Sequence, residues 1–202
     1  MNRTIKILMF SDIFVLTGFG LIDPIFGIYL NENLVGGSIF SAGLASAIFL
    51  ITKSLVQLPF SRHVDKYDDL NDLKWLIIGT VMIASIPFLY IFAPNIYWIY
   101  AAEFIYGIGS GFAYPTWLGL WSTHLDKKRE SYEWSLYSTL VGVGSAVAAA
   151  IGAAVAQYVG YISTFVLVGI MSLAGCTALL MLRIKEKKIR KNKDCVCEAV
   201  VE

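Results

Sequence analysis

Six apolar stretches, Ile7–Leu30, Ser38–Phe60, Trp75–Ala93, Ile96–Trp121, Trp134–Tyr158 and Tyr161–Leu182, follow one another along the chain with short polar breaks between them. Each is close to the roughly 20 residues an α-helix needs to cross the hydrocarbon core of a bilayer. The pattern predicts an all-α integral membrane protein with six transmembrane helices. The breaks at Asn31–Gly37, Pro94–Asn95 and Val159–Gly160 are so short that each flanking pair must form an antiparallel hairpin. The other two breaks are longer and charged, and the one from Ser61 to Lys74 has room for a short surface helix or turn. The organisation expected is one compact six-helix domain over residues 1–184, followed by a basic, disordered tail over 185–202.

Charge fixes the orientation. Of the 16 Lys and Arg residues, all but Lys53 lie outside the apolar stretches. They fall at the N-terminus (Arg3, Lys6), between the second and third stretches (Arg62, Lys66, Lys74), between the fourth and fifth (Lys127, Lys128, Arg129), and in the tail from Arg183 to Lys193. The three short connections carry none. Because cytoplasmic loops are those enriched in Lys and Arg, both termini are expected in the cytoplasm of a cell-membrane protein. A composition 57% hydrophobic and 15% charged, with a mean hydropathy of +0.66, excludes an ordinary soluble domain. The net charge of +1 gives no support to nucleic-acid binding, and the basic tail reads as a topology anchor. The first stretch holds Asp12 and Asp23 and is too long for a signal-peptide core, so it is expected to remain as a helix. Cys176 lies within the sixth stretch, and Cys195 and Cys197 offer two thiolates, too few for a tetrahedral metal site. No cofactor or metal is called for.

Ionisable residues inside a bilayer are costly, about 3 kcal/mol or more at mid-helix, and should face the bundle interior or a wet cavity. They are Asp12 and Asp23 on the first helix, Lys53 on the second and Glu103 on the fourth. The first, second and fourth helices are therefore expected to line a polar space, the third and sixth to face lipid. Asp12 and Asp23 are eleven residues apart, a net rotation of about 20°, so they share a face at two depths. Counting from the segment ends, Asp12 and Lys53 form an inner acid–base layer and Asp23 and Glu103 an outer carboxylate layer. The outer pair, with no base at equal depth, are the candidates for proton or cation coupling. Asp12 with Lys53 is the candidate inner charge pair. Glu103, Ser110, Tyr114, Trp117 and Trp121 fall within about 40° of one line on the fourth helix. Gln57 lies on the same face of the second helix as Lys53. Gln57, Ser110, Tyr114 and Trp117 are the candidates for the solute cavity, and Trp121 fits better in an interfacial aromatic belt.

Between Val141 and Ala156, eleven of sixteen residues are Gly, Ala or Ser, a surface for close helix packing. Asp23-Pro24 and Tyr114-Pro115 are expected to free backbone groups and kink their helices. Shifting the chain by 91 residues lays Gly18, Gly20, Pro24 and Asp12 on Gly109, Gly111, Pro115 and Glu103. The two matched helices run in opposite directions, as two three-helix inverted repeats require.

These residues resemble one half of a major facilitator superfamily transporter. The loop Ser61-Arg62-His63-Val64-Asp65-Lys66-Tyr67-Asp68-Asp69 occupies the place of that family's Gly-x-x-x-Asp-Arg/Lys-x-Gly-Arg/Lys pattern, matching at Asp65 and Lys66 and departing at Ser61, Asp68 and Asp69. The run from Tyr114 through Leu136 into the small-residue helix is similar to the family's fourth and fifth helices, without the Arg many members carry near the position of Glu103. The resemblance implies a gating loop at Arg62, Asp65 and Lys66. It also implies alternating access by two six-helix bundles, supplied here by a homodimer or by a second six-helix chain. The expectation is a proton-coupled secondary transporter of a small solute, in contact with the lipid bilayer and not an enzyme. A partner half of a split transporter, or a non-transporting one, and a passive channel remain as alternatives. An intramembrane protease is disfavoured, because Gly107-Ile108-Gly109-Ser110-Gly111 lacks the Gly-x-Ser-Gly spacing and both His63 and His124 lie in cytoplasmic loops.

Overall fold

The computed structural model describes residues 2–66 and 68–201, with side chains described as far as Lys188 and at Arg190, so Cys195 and Cys197 lie outside the described side chains. Its elements are α1 (Arg3–Gly20), α2 (Asp23–Asn33), α3 (Ile39–Val64), α4 (Asp69–Ile91), α5 (Ile96–His124), α6 (Glu130–Tyr158) and α7 (Tyr161–Val201). Among the described residues five spans are long and apolar enough to cross a membrane: α1 with α2 as one 31-residue span, α3, α4, α6, and α7 from Tyr161 to Lys188. Helix α5, with 29 residues, has the length, but its Tyr, Trp and Gly content lowers its mean hydropathy. The chain is a multi-pass helical membrane protein.

Local chemistry sets the ends. Ser38 and Ser41 form a reciprocal cap on α3, with Ser41 N–H donating to Ser38 Oγ at 3.1 Å and Ser38 N–H to Ser41 Oγ at 2.7 Å. Asp68 caps α4 and Asn95 caps α5 through their side-chain oxygens. With Asp68 available as a cap, α4 starts at Asp69, and α3 runs to Val64, so the connection expected from Ser61 to Lys74 shrinks to a turn. Helix α7 continues past Leu182 to Val201.

The first crossing breaks before the proline. Leu21 N–H bonds the Gly18 carbonyl at 3.1 Å and Ile22 N–H the Phe19 carbonyl at 2.9 Å, tightening the last turn of α1. Pro24 has no N–H to offer Gly20, so the helix restarts at Asp23. Pro115, by contrast, lies inside α5, which continues through it. There the Thr116 hydroxyl bonds the carbonyls of Phe112 and Ala113 at 2.7 and 2.8 Å.

Packing is closest where side chains are smallest. A Cβ on Gly107 would sit 2.6 Å from Thr52 Cβ, and one on Gly111 2.7 Å from Val56 Cβ, so these two glycines seat α5 on α3. Gly109 and Gly79 play the same part between α5 and α4. Helix α6 approaches α1 through Gly144 and Gly152, with Gly152 directly against the Leu21 carbonyl at the break. Helices α4 and α7 pack on each other and on α5 and α1 respectively. This corrects the expectation that the third and sixth crossings simply face lipid: half of the α4 span is buried, against 17% for α3 and 11% for α6. An uninterrupted apolar surface suits a protein core as well as a bilayer, and periodicity does not separate the two.

Candidate functional site

A cavity of about 330 Å³ lies among the helices, with walls drawn from all six crossings. Its polar wall is Asp12 from α1, Lys53 from α3, Ser110, Tyr114 and Trp117 from α5, and Tyr137 from α6. Leu76, Thr80 and Ile83 of α4 and Leu179 of α7 supply apolar lining, a second consequence of the third and sixth crossings facing inward.

Asp12 is held in place by its neighbour. The Ser11 hydroxyl donates to the Gly175 carbonyl at 2.9 Å, and Gly175 has no Cβ to keep α7 away from the Ser11 backbone. That contact fixes the depth and rotation of α1, turning Asp12 toward α6, where Oδ2 accepts a hydrogen bond from the Tyr137 hydroxyl. Tyr137 lies within an aromatic cluster: its ring centroid is 5.0 Å from that of Trp117 and 5.2 Å from that of Trp121, which stack on each other at 4.9 Å and 18°. Trp121 is fully buried, so its assignment to an interfacial belt is corrected. Its ring gains more from stacking on Trp117 and Trp134 than a place at the lipid surface would give. The indole N–H groups of Trp117 and Trp121 are buried without an acceptor.

Lys53 faces the same cavity differently. Its Nζ lies 4.7 Å from the centre of the Tyr114 ring and 5.9 Å from that of Phe49, a cation–π arrangement. Among the described residues no carboxylate lies within ion-pair distance of it, so Asp12 and Lys53 share a cavity without touching. Gln57, one turn further along α3, is outside the cavity wall and lies beside Gly111.

The two outer carboxyl groups are placed differently from each other. Glu103 is only 4% exposed and its Oε1 accepts from the Tyr90 hydroxyl at 2.5 Å; the Tyr90 carbonyl in turn accepts from Tyr29 at 3.2 Å. The rings of Phe26 and Phe165 close over Tyr90. Glu103 is thus a sealed site, separate from the cavity wall. Asp23 is exposed on the first residue of α2, directly after the break in the first crossing.

Arg62, Asp65 and Lys66 are exposed where α3 ends. The next residues of that turn are bonded elsewhere: Asp68 pairs with Arg190 of α7, and Asp69 lies 3.6 Å from His124 at the end of α5. The Arg190 guanidinium holds the Asp68 carboxyl below its ordinary value. Sequence reasoning missed Tyr137, Tyr90 and Tyr29, since a tyrosine in a membrane helix carries no charge signal, and only a folded neighbour shows what its hydroxyl bonds. Among the described residues no group of three or more His, Cys, Asp and Glu is placed to hold a metal.

Comparison with known proteins supplies the family. The chain is 24% identical over 188 residues to a multi-drug resistance efflux pump PmrA homolog of Lactococcus lactis, covering 92% of this chain and 45% of that protein. It is 28% identical over 168 residues to the multi-drug resistance efflux pump PmrA of Streptococcus pneumoniae (82% and 41%) and 23% identical over 157 residues to the quinolone resistance protein NorA of Staphylococcus aureus (78% and 39%). The chain therefore spans less than half the length of these relatives. Residues 8–194 match the Major Facilitator Superfamily model, and with its charged cavity inside a helical bundle this chain belongs to that superfamily.

Proposed function

We propose that the chain is one half of a secondary active transporter that moves a small solute through its central cavity by alternating access. The observation that carries this reading is the cavity itself, which sets Asp12 and Lys53 on opposed helices of a membrane bundle without pairing them. Charges kept this way inside a bilayer are expensive, and a passing solute supplies the counter-charge that Lys53 lacks. In this reading Glu103 and Asp23 carry the coupling protons: a carboxyl that is protonated when dry and ionised when wetted changes charge as access alternates. Asp12 and Lys53 meet the solute together with Ser110, Tyr114 and Trp117, while Gln57, behind the wall, reaches it only after a helix shift. Arg62, Asp65 and Lys66 form the cytoplasmic gate, with both termini inside. The efflux-pump names of the relatives favour export.

Two three-helix inverted repeats are part of the same proposal. Their support is a pattern of contacts: Gly18 faces α7 and Gly109 faces α4, while Gly20 faces α6 and Gly111 faces α3. Glycines that coincide under the 91-residue shift thus meet corresponding helices of the opposite repeat.

The test is uptake in proteoliposomes under an imposed proton gradient. Lys53→Ala and Glu103→Gln are expected to reduce transport at least tenfold while leaving the thermal transition near that of the unaltered protein. Undiminished uptake in both would sink the site assignment.

A further inference from the structure

We infer that the cavity takes its solute by an anionic group, and that the fitting class is a small flat aromatic carboxylate whose carboxylate meets Lys53 and whose ring lies against the apolar and aromatic wall beside Trp117. The inference rests on the transporter reading for its biological meaning, but it concerns equilibrium binding.

Of the two charged groups in the cavity wall, one has its hydrogen-bond partner and the other does not. Asp12 receives the Tyr137 hydroxyl, whereas Lys53 has only ring faces beneath its ammonium. Cation–π contact keeps Lys53 in place without consuming its three N–H donors, none of which has an acceptor among the described residues. The remaining hydrogen-bonding capacity of the wall is also weighted to donors. Trp117 has a buried indole N–H with no acceptor, and Ser110 makes no hydrogen bond among the described residues, while the Thr80 hydroxyl is spent on the Leu76 carbonyl at 2.7 Å. A buried donor left unpaired is costly, so the Trp117 N–H is completed by a solute that brings an acceptor. A carboxylate brings acceptors and the charge that Lys53 lacks. The rest of the wall, apolar from α4 and α7 and aromatic from α5, calls for a flat hydrocarbon body, and about 330 Å³ holds one or two fused rings.

The test uses three probes sharing one ring system, 2-naphthoate, 2-naphthamide and 2-naphthylmethylammonium, titrated calorimetrically against the full chain in nanodiscs. The expected result is that naphthoate binds at least about tenfold more tightly than either of the others. Lys53→Gln should erase that preference and Lys53→Arg should retain it, so a mere loss of folding in the first variant is recognised. Trp117→Phe should weaken naphthoate several-fold. Tightest binding of the cation, removed by Asp12→Asn, would overturn the anionic class while leaving the transporter reading intact. Equal binding of all three, or binding of none by protein shown to be helical, would overturn it too. Failure of the transporter reading would appear separately, as absent uptake in proteoliposomes despite naphthoate binding.

Discussion

A carboxyl group inside a membrane bundle is defined by the donor it is given, and here each of the two deep ones is given a tyrosine. Asp12 takes the hydroxyl of Tyr137 and Glu103 that of Tyr90, the two acids lying 91 residues apart in register. For Glu103 the consequence is a contrast. Tyr90→Phe leaves a buried acceptor unpaired and should cost about 1–3 kcal/mol. Glu103→Gln keeps an oxygen for Tyr90 to bond and should cost less, while removing the proton site. Thermal unfolding in detergent ranks the two; an equal or larger loss for Glu103→Gln would mean that the bond to Tyr90 is not what holds this site. The positions of the acids were legible in the sequence because a charge in an apolar stretch stands out. Lys53, Ser110, Tyr114 and Trp117 share the cavity with Asp12 because helical spacing fixes which residues share a face. The partners were not legible: Tyr137 and Tyr90 depend on how α6 and α4 are rotated, and periodicity does not encode rotation. Gln57 shows the limit of the face argument, since a residue one turn beyond Lys53 passes behind α5 where Gly111 lets the helices close.

The run of Gly, Ala and Ser between Val141 and Ala156 announced a packing surface on α6, and the folded chain gives its glycines different neighbours. Gly152 abuts the Leu21 carbonyl, a backbone atom that cannot swing aside, whereas a Cβ on Gly142 of the same helix would meet nothing within 4 Å. Gly152→Ala should therefore cost about 1–3 kcal/mol through overpacking, while Gly142→Ala should be neutral or gain up to about 1 kcal/mol in helix propensity. Thermal unfolding of the two variants separates crowding from propensity, and equal effects would remove α6 from contact with the break in α1. The break could be anticipated from Pro24, but its position at Leu21–Ile22 comes from the tightened last turn of α1. Sequence signals also underestimated α3 and α4 where the two meet, because capping by Asp68 extends the helices into the expected loop. There Arg190 reaches Asp68 across the turn, and its effect on the carboxyl has a definite sign. A carboxyl whose value in the folded chain is depressed contributes stability above its unfolded value and loses it as pH falls through the folded one. Because both side chains are exposed, Arg190→Ala should change stability at neutral pH by no more than about 1 kcal/mol. The difference should vanish in acid and shrink with added salt; a larger, salt-independent loss would point to packing by α7 instead.

At the scale of the molecule the open balance is between lipid and protein on the outer faces of α3 and α6. Leu55 and Leu58 on α3 are each 71% exposed, Val143 and Val147 on α6 are 61% and 55% exposed, and the helices that carry them are the least buried of the candidate spans. Hydropathy treats a lipid-facing leucine and an interface leucine alike, which is why the apolar helices could be located from the sequence while the occupant of these faces could not be read from it. Under the homodimer that the resemblance implies, the second bundle packs on α3 and α6. Cys176, Cys195 and Cys197 replaced by Ser and a single Leu55→Cys introduced give a chain in which any disulfide between chains must form at this face. In nanodiscs loaded with the purified protein, the expected outcome is a mass of two chains of 22.3 kDa and a cross-linked dimer on mild oxidation. A Cys placed instead at Val166 of α7, 38% exposed and away from the α3 and α6 faces, should give far less, because α7 is engaged with α1 and α4. A mass of one chain with no cross-link would assign the α3 and α6 faces to lipid in the isolated protein and would overturn the homodimer.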